Sequence, residues 1–303
     1  GMEQAELYAV AARDLTRAEQ FASEFQARKA YGSYEALVDD PEVDLIYIAT
    51  PHSHHFEPAR MCLLKGKPVL GEKAFTANAR EAEELIRISQ EQHVYLAEAI
   101  WTRYMPFSKT IREMAESGII GKPMMLTANL GYVISAVERI ARPDLCGGAL
   151  YDLGVYPINF ALMTFGNEIE KIASTCVKNA AGVDMQNSIT FTYRDGRMAV
   201  MQTTAFCATD RMGIISGNKG YIVIDNINNP QLAVVYNTEH QEIARRTCPP
   251  QITGFEYQVQ EAADAIREGR IEPVSMPHEE SLRVMRMLDE LRKEWGVCFP
   301  MDK

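Results

Sequence analysis

"VDLIYIATPHSHHFEPARMCLLKGKPVLGEKAF", residues 43–75, places two apolar runs on either side of a helical one. The first, "VDLIYIAT" (43–50), is continuously apolar, the pattern of a strand covered on both faces. "HFEPARMCLLKG" (55–66) reads as a helix closed by Gly66, and "KPVLGEK" (67–73) as a second strand. Strand, helix and strand joined by short links predict a parallel pair crossed by a helix. The second strand stops at Gly71 and hands over to Glu72 and Lys73. An ammonium at the end of a buried strand must be solvated or paired, so Lys73 calls for a partner or a ligand.

The same rhythm extends outward. "ELYAVAA" (6–12) reads as a strand and "LTRAEQFASEF" (15–25) as a helix. "NAREAEELIRISQEQ" (78–92) is a helix with Asn78 as N-cap and Glu81 three residues on, followed by the strand "HVYLAEAI" (93–100). Beyond about residue 120, strand-like segments follow one another at 122–133, 169–179, 187–194, 197–206, 211–216, 220–225, 231–236 and 242–247. Asp195-Gly196 marks a hairpin turn between two of them, and helices at 254–268 and 277–295 close the chain. The expected fold class is α/β: a Rossmann-type parallel-sheet domain over 1–105, then an α+β domain over 106–303 with a large, mostly antiparallel, open-faced sheet. A dinucleotide-binding domain normally opens with a strand, a glycine-rich turn and a helix, and no G-x-G-x-x-G occurs here. The expectation is that this first strand and turn, about 30 residues, belong to a longer natural chain.

A formal net charge of -10 argues against nucleic acid or an anionic membrane as partner, since both need a basic face. No apolar run is long enough to span a bilayer and no signal-peptide pattern opens the sequence. The 6 cysteines (Cys62, Cys146, Cys176, Cys207, Cys248, Cys298) form no C-x-x-C pair, so neither a zinc site nor a disulfide framework is expected, and a reducing cytoplasm is the simplest home. His52, His54 and His55 cluster in "HSHH", but no acid or cysteine stands at ligand spacing, and no metal is expected.

Five motifs in order, "VDLIYIATPHSHH", "GKPVLGEKAF", "EAIWTRYMP", "CGGALYDLGVYP" and "SGNKGYIVID", resemble the Gfo/Idh/MocA family of NAD(P)-dependent oxidoreductases over nearly the whole chain. "AIWTRY", "GGALYDLGVYPINF", "GVDMQNSITF" and "GVCFPMDK" are similar to the branch of dimeric dihydrodiol dehydrogenases and NADP-dependent D-xylose dehydrogenases. The resemblance implies a Rossmann domain with an open-faced sheet domain. It also implies that Lys73, in "EKA" where the family has Glu-Lys-Pro, faces the nicotinamide and the reacting hydroxyl. Tyr156 stands where many members have histidine, and Asp152 lies four residues before it, on the same helix face. A free tyrosine has a pKa near 10, and a cation such as Lys73 close by would lower it. The implied catalytic set is Lys73, Tyr156 and Asp152, with Tyr156 taking or returning the hydroxyl proton and Asp152 orienting the substrate or the lysine.

The resemblance also carries over Thr50, Pro51, His52 and His55 ("TPxxxH") and Glu72 to the nicotinamide ribose side, and Trp101 and Arg103 to the border of cofactor and substrate. Arg13, Asp14 and Arg17 stand at the end of the first strand, where an acid suits a ribose 2′-OH and an arginine a 2′-phosphate. Arg13 comes first, so NADP is expected over NAD. The leading expectation is a dehydrogenase acting on a hydroxyl of a sugar, polyol or trans-dihydrodiol. The alternatives are a cofactor-retaining sugar hydrolase or epimerase, and a non-catalytic cofactor-binding sensor. An antiparallel sheet with an open face covers its apolar side most simply by self-association, so a homodimer or a dimer of dimers is expected.

Overall fold

The computed structural model describes residue 2 and residues 4–303. The chain divides into two units, Gly1–Ala99 with Phe255–Arg283, and Ile100–Gly254 with Val284–Lys303.

In the first unit β1 (Ala9–Ala11) pairs in parallel with β2 (Lys29–Tyr31), and β3 (Ile46–Ile48), β4 (Val69–Glu72) and β5 (Leu96–Ala99) form a second parallel sheet in that order. Its helices are α1 (Leu15–Phe25), α2 (Tyr34–Val38), α3 (Phe56–Leu64), α4 (Ala79–Gln92) and, from far along the chain, α8 (Glu256–Arg267). The Asn78 side chain caps α4 by accepting the Glu81 N–H at 3.1 Å, while Glu81 accepts the Ala77 N–H at 3.0 Å. The first bond satisfies an orphan donor of the helix start, and the second fixes the residue before the cap.

Two expectations need correction here. The run 43–50 is not covered on both faces: β3 alternates, and Tyr47 stays 45% exposed, with its hydroxyl on the Glu72 carboxylate. A single domain boundary after residue 105 also fails, because α8 returns to the first unit. Its Ala262 and Ala265 are fully buried against Leu70, Tyr95, Ala97 and Ala99, with Val259 and Ile266 at the margin. Alanines on one helix face allow close approach to the small side chains of β5. Beyond α8, Ile271 accepts the Leu96 N–H at 3.0 Å and His278 hydrogen-bonds the Leu96 carbonyl at 2.8 Å, so this segment lies along β5.

The second unit is built on an eight-stranded sheet: β6 (Pro123–Gly131), β7 (Ile169–Lys178), β8 (Asp184–Tyr193), β9 (Met198–Thr204), β10 (Gly213–Gly217), β11 (Gly220–Ile224), β12 (Leu232–Asn237) and β13 (Glu242–Thr247). The order is β13-β12-β11-β10-β6-β9-β8-β7, antiparallel except for the β6–β9 pair. All eight strands expected from the sequence are present, within a few residues of their expected ends. The Asp195-Gly196 turn joins β8 to β9, with Gly196 at φ 86°, a conformation glycine adopts without strain. α5 (Pro106–Glu116), α6 (Glu138–Ala141) and α7 (Val155–Phe165) also belong to this unit, and α9 (His278–Trp295) runs from residues of the first unit into it.

α7 packs on β6 and β9. Ile189, Phe191 and Tyr193 of β8 and Ala199 and Met201 of β9 are buried on the core face. On the other face, register aligns Val223, Ile214, Thr127, Val200, Thr190 and Ala173 in one row across six strands. All six are half-buried or exposed. A cavity of about 310 Å³ opens on this side, lined by Thr175, Gln186, Ser188, Gln202, Thr204 and Cys207 among others.

Candidate active site

The carboxyl ends of β3 and β4 gather the residues expected on the first unit's ligand side, which is where parallel sheets bind ligands. Glu72 is the last residue of β4; its carboxylate accepts the Tyr47 hydroxyl and, at 3.1 Å, the Lys73 N–H. Lys73 follows, half-buried, and the Lys73–Ala74 peptide is cis. His55 ties the two strand ends together: Nε2 lies 2.8 Å from the Thr50 carbonyl, and Nδ1 lies 3.0 Å and 3.2 Å from the carbonyls of Ala74 and Phe75. Burial holds its imidazole below the ordinary value, against the pull of those carbonyls. Both ring nitrogens are thus turned to backbone oxygen. His55 is a clamp on the loops around Lys73. The His52 ring meets it edge-on with centroids 5.7 Å apart, and the Thr50 hydroxyl donates to the His54 carbonyl at 2.8 Å, while Pro51 is exposed.

At the end of β1, Asp14 caps α1 by accepting the Thr16 N–H at 2.9 Å. Its carboxylate is thus engaged with the helix. Arg13 and Arg17 are exposed and take part in no ion pair among the described residues. Two guanidinium groups beside a helix N-terminus, with the nearby acid already occupied, suit a phosphate monoester better than a ribose hydroxyl. The residues present therefore fit an NADP-type 2′-phosphate.

In the second unit the chain enters α7 through a π-turn, Leu150–Gly154, a distortion common at functional positions. The entry is crowded. A Cβ on Gly148 would lie 2.3 Å from Asp184 Oδ1, and one on Gly147 2.5 Å from the Ile140 carbonyl, so only glycines allow this packing. Asp152 is buried and forms an ion pair with Arg139 of α6. The loop 132–146 is thereby anchored to the helix at the very carboxylate expected to orient substrate. Tyr156, 8% exposed, accepts a hydrogen bond from Trp101 Nε1 at 3.1 Å. One turn further on, Asn159 accepts from Arg103 Nε at 2.8 Å and donates to the Val155 carbonyl at 2.8 Å.

Trp101 and Arg103, expected at the border of cofactor and substrate, lie with Tyr156 in the second unit, one touching the phenol and the other bracing its helix. Lys73 belongs to the first unit, Tyr156 and Asp152 to the second. Sequence reading missed Arg139, Asn159 and Asp184. Asn159 could have been found by its helical spacing from Tyr156; Arg139 and Asp184 carry no spacing signal, because loop and strand bring them in.

Residues 1–99 match the NAD-binding Rossmann domain of the Gfo/Idh/MocA oxidoreductase family, and residues 108–223 match that family's C-terminal domain. The chain belongs to the Gfo/Idh/MocA oxidoreductases. Among individual proteins it is 36% identical over 309 residues to trans-1,2-dihydrobenzene-1,2-diol dehydrogenase of Mus musculus, a match spanning 98% of this chain and 91% of the relative. The Homo sapiens protein of the same name is 33% identical with the same coverage. A 3-ketoreductase from Actinomadura kijaniata, solved with NADP and TDP-benzene, superposes with a TM-score of 0.87 at 24% identity, covering 95% of this chain and 89% of that one. Aldose-aldose oxidoreductase from Caulobacter crescentus superposes with a TM-score of 0.86 at 18% identity, covering 96% and 90%. These two establish the fold.

Proposed function

We propose that the protein is an NADP-dependent dehydrogenase that oxidises a secondary hydroxyl of a trans-dihydrodiol, sugar or polyol, and reduces the matching ketone. The observation that carries this reading is near full-length similarity to dihydrodiol dehydrogenases, together with Lys73 at the β4 end and a Trp101-held Tyr156 on α7. Bound nicotinamide supplies the hydride acceptor. The chain supplies the rest. Tyr156 takes the hydroxyl proton as the carbinol C–H bond breaks and returns it in the reverse direction. Lys73 stabilises the phenolate and the developing alkoxide. Asp152, fixed by Arg139, orients the hydroxyl. Thr50, Pro51, His52, His55 and Glu72 shape the nicotinamide ribose side, with His55 acting through the loops it clamps.

The test is a panel of aromatic trans-dihydrodiols, pentoses, hexoses and cyclic polyols assayed for NADPH formation with wild type, Lys73→Met and Tyr156→Phe. Proton transfer by a positioned side chain contributes roughly 10²–10⁴-fold, so each variant should lose at least about 10²-fold in kcat while NADP quenches its fluorescence as in wild type. Wild-type turnover in both variants would end this reading.

The homodimer is part of the same proposal. Eight strands at a spacing of about 4.8 Å and lengths of about 20 Å present a face of roughly 700 Å². That is close to the ~800 Å² per partner of a stable interface. Its central row, Val223–Ile214–Thr127–Val200–Thr190–Ala173, is apolar or β-branched, and a second copy of the same face is the occupant that suits it. A reducing cytoplasmic setting is part of this reading, in keeping with six cysteines that show no C-x-x-C spacing.

A further inference from the structure

We propose that Asp184 is a positioning residue for catalysis: its carboxylate seats the first turn of the helix that presents Asp152 and Tyr156. The helix has no cap of its own. Ala149 and Gly154, which precede the π-turn and α7, have no side chain that could accept its first N–H groups. The Leu150 N–H, one of the orphan donors of a helix start, goes instead to Asp184 Oδ2 at 2.8 Å, from a residue 34 positions away on β8. Asn187 donates to the same oxygen at 3.1 Å and is itself fixed by the Thr203 hydroxyl on β9 at 2.7 Å. The capping carboxylate is therefore bolted to two strands of the sheet. The other oxygen, Oδ1, has no hydrogen-bond partner among the described residues and faces Gly148, where any side chain would strike it.

Asp184 is 1% exposed, an environment in which a carboxylate is retained only at a cost. The negative charge sits at the positive end of the helix, which favours it. Two side chains on neighbouring elements also act on it: Arg292 of α9 favours the ionised form, and Cys176 of β7 feels its charge. Burial still dominates and pushes the carboxyl up to about 6. Asp152 follows Leu150 by two residues and Tyr156 by six, so a shift of the Leu150 N–H is transmitted rigidly to both. The inference rests on the proposed roles of those two residues, but its geometry can be read without turnover.

The readout is the Trp101 indole N–H, which reports its hydrogen bond to Tyr156. In protein labelled with ¹⁵N-tryptophan, Trp295→Phe assigns the two indole signals. In wild type the Trp101 signal moves with pH around a midpoint near 6; in Asp184→Asn it is displaced at pH 8 and the movement is gone. Misplacement of a reacting group by about 1 Å can cost 10²-fold, so kcat of Asp184→Asn falls roughly tenfold or more while KM for NADP stays within about twofold. A folded Asp184→Asn protein with the wild-type signal, pH response and kcat overturns the proposal. If that variant does not fold, Asn187→Ala, which removes the strand-side donor to the same carboxylate oxygen, is read in the same way, and a wild-type Trp101 signal and kcat there refute the proposal. A displaced signal in a protein that oxidises nothing in the panel would sink the proposed function and leave the positioning role standing.

Discussion

We propose that cofactor choice turns on Arg13 and Arg17, through what Asp14 is doing. In NAD-binding sites an acid at this position meets the ribose 2′-OH. Here that acid caps α1, and the two guanidinium groups remain exposed beside the helix N-terminus. A hydrogen bond to a charged group contributes about 1.5–3 kcal/mol. The double variant Arg13→Ala/Arg17→Ala, which removes at least two such bonds, is therefore expected to weaken NADP roughly 10²-fold or more and to leave NAD within about twofold. Fluorescence titration with both cofactors checks this, and an equal loss for the two would remove the 2′-phosphate assignment. Single residues of this kind were legible because their chemistry is local: Lys73 at a strand end and Tyr156 four residues from Asp152 announce themselves. Asp184 and Arg139 did not. A carboxylate that caps a helix from a distant strand, and an arginine that reaches back from an irregular loop, follow no period a sequence can show.

Among the elements, α8 shows what periodicity reveals and what it withholds. Its amphipathic pattern predicts a helix over 254–268, and the helix Glu256–Arg267 is there. The pattern says nothing about which sheet receives its apolar face. The sizes of the side chains do: Ala262 and Ala265 are fully buried against Leu70, Ala97 and Ala99, so the helix lies close to β4 and β5. Added volume has no room. Ala262→Leu should destabilise the protein by about 1–3 kcal/mol, the usual cost of overpacking, seen as a lower urea midpoint with an unchanged slope. An unchanged midpoint would mean that α8 does not pack on this sheet as described. The second unit was more legible, because an open-faced sheet alternates buried and exposed residues strand after strand, whereas the brief strands β1 and β2 have only three residues each to display a pattern.

For the whole molecule the decisive quantity is the sheet face opposite α7. Each chain carries a net charge of -10, which opposes association of two copies, so apolar contact must outweigh repulsion. Burying roughly 700 Å² per copy can do so only if the centre of the face stays apolar. Val200 sits at that centre, between Thr127 and Thr190 in register, with its side chain only half-buried in a single chain. Val200→Arg would place two unpaired guanidinium groups in a self-complementary interface, where desolvation costs several kcal/mol per ion. Within one chain the same arginine can extend into solvent, so the fold is expected to survive. The wild type should then scatter light as a dimer at micromolar concentration, more firmly at high salt because screening reduces the repulsion. Val200→Arg should scatter as a monomer with unchanged far-UV circular dichroism. A wild-type protein that is monomeric at these concentrations, or a variant that remains dimeric, would move the interface away from this face.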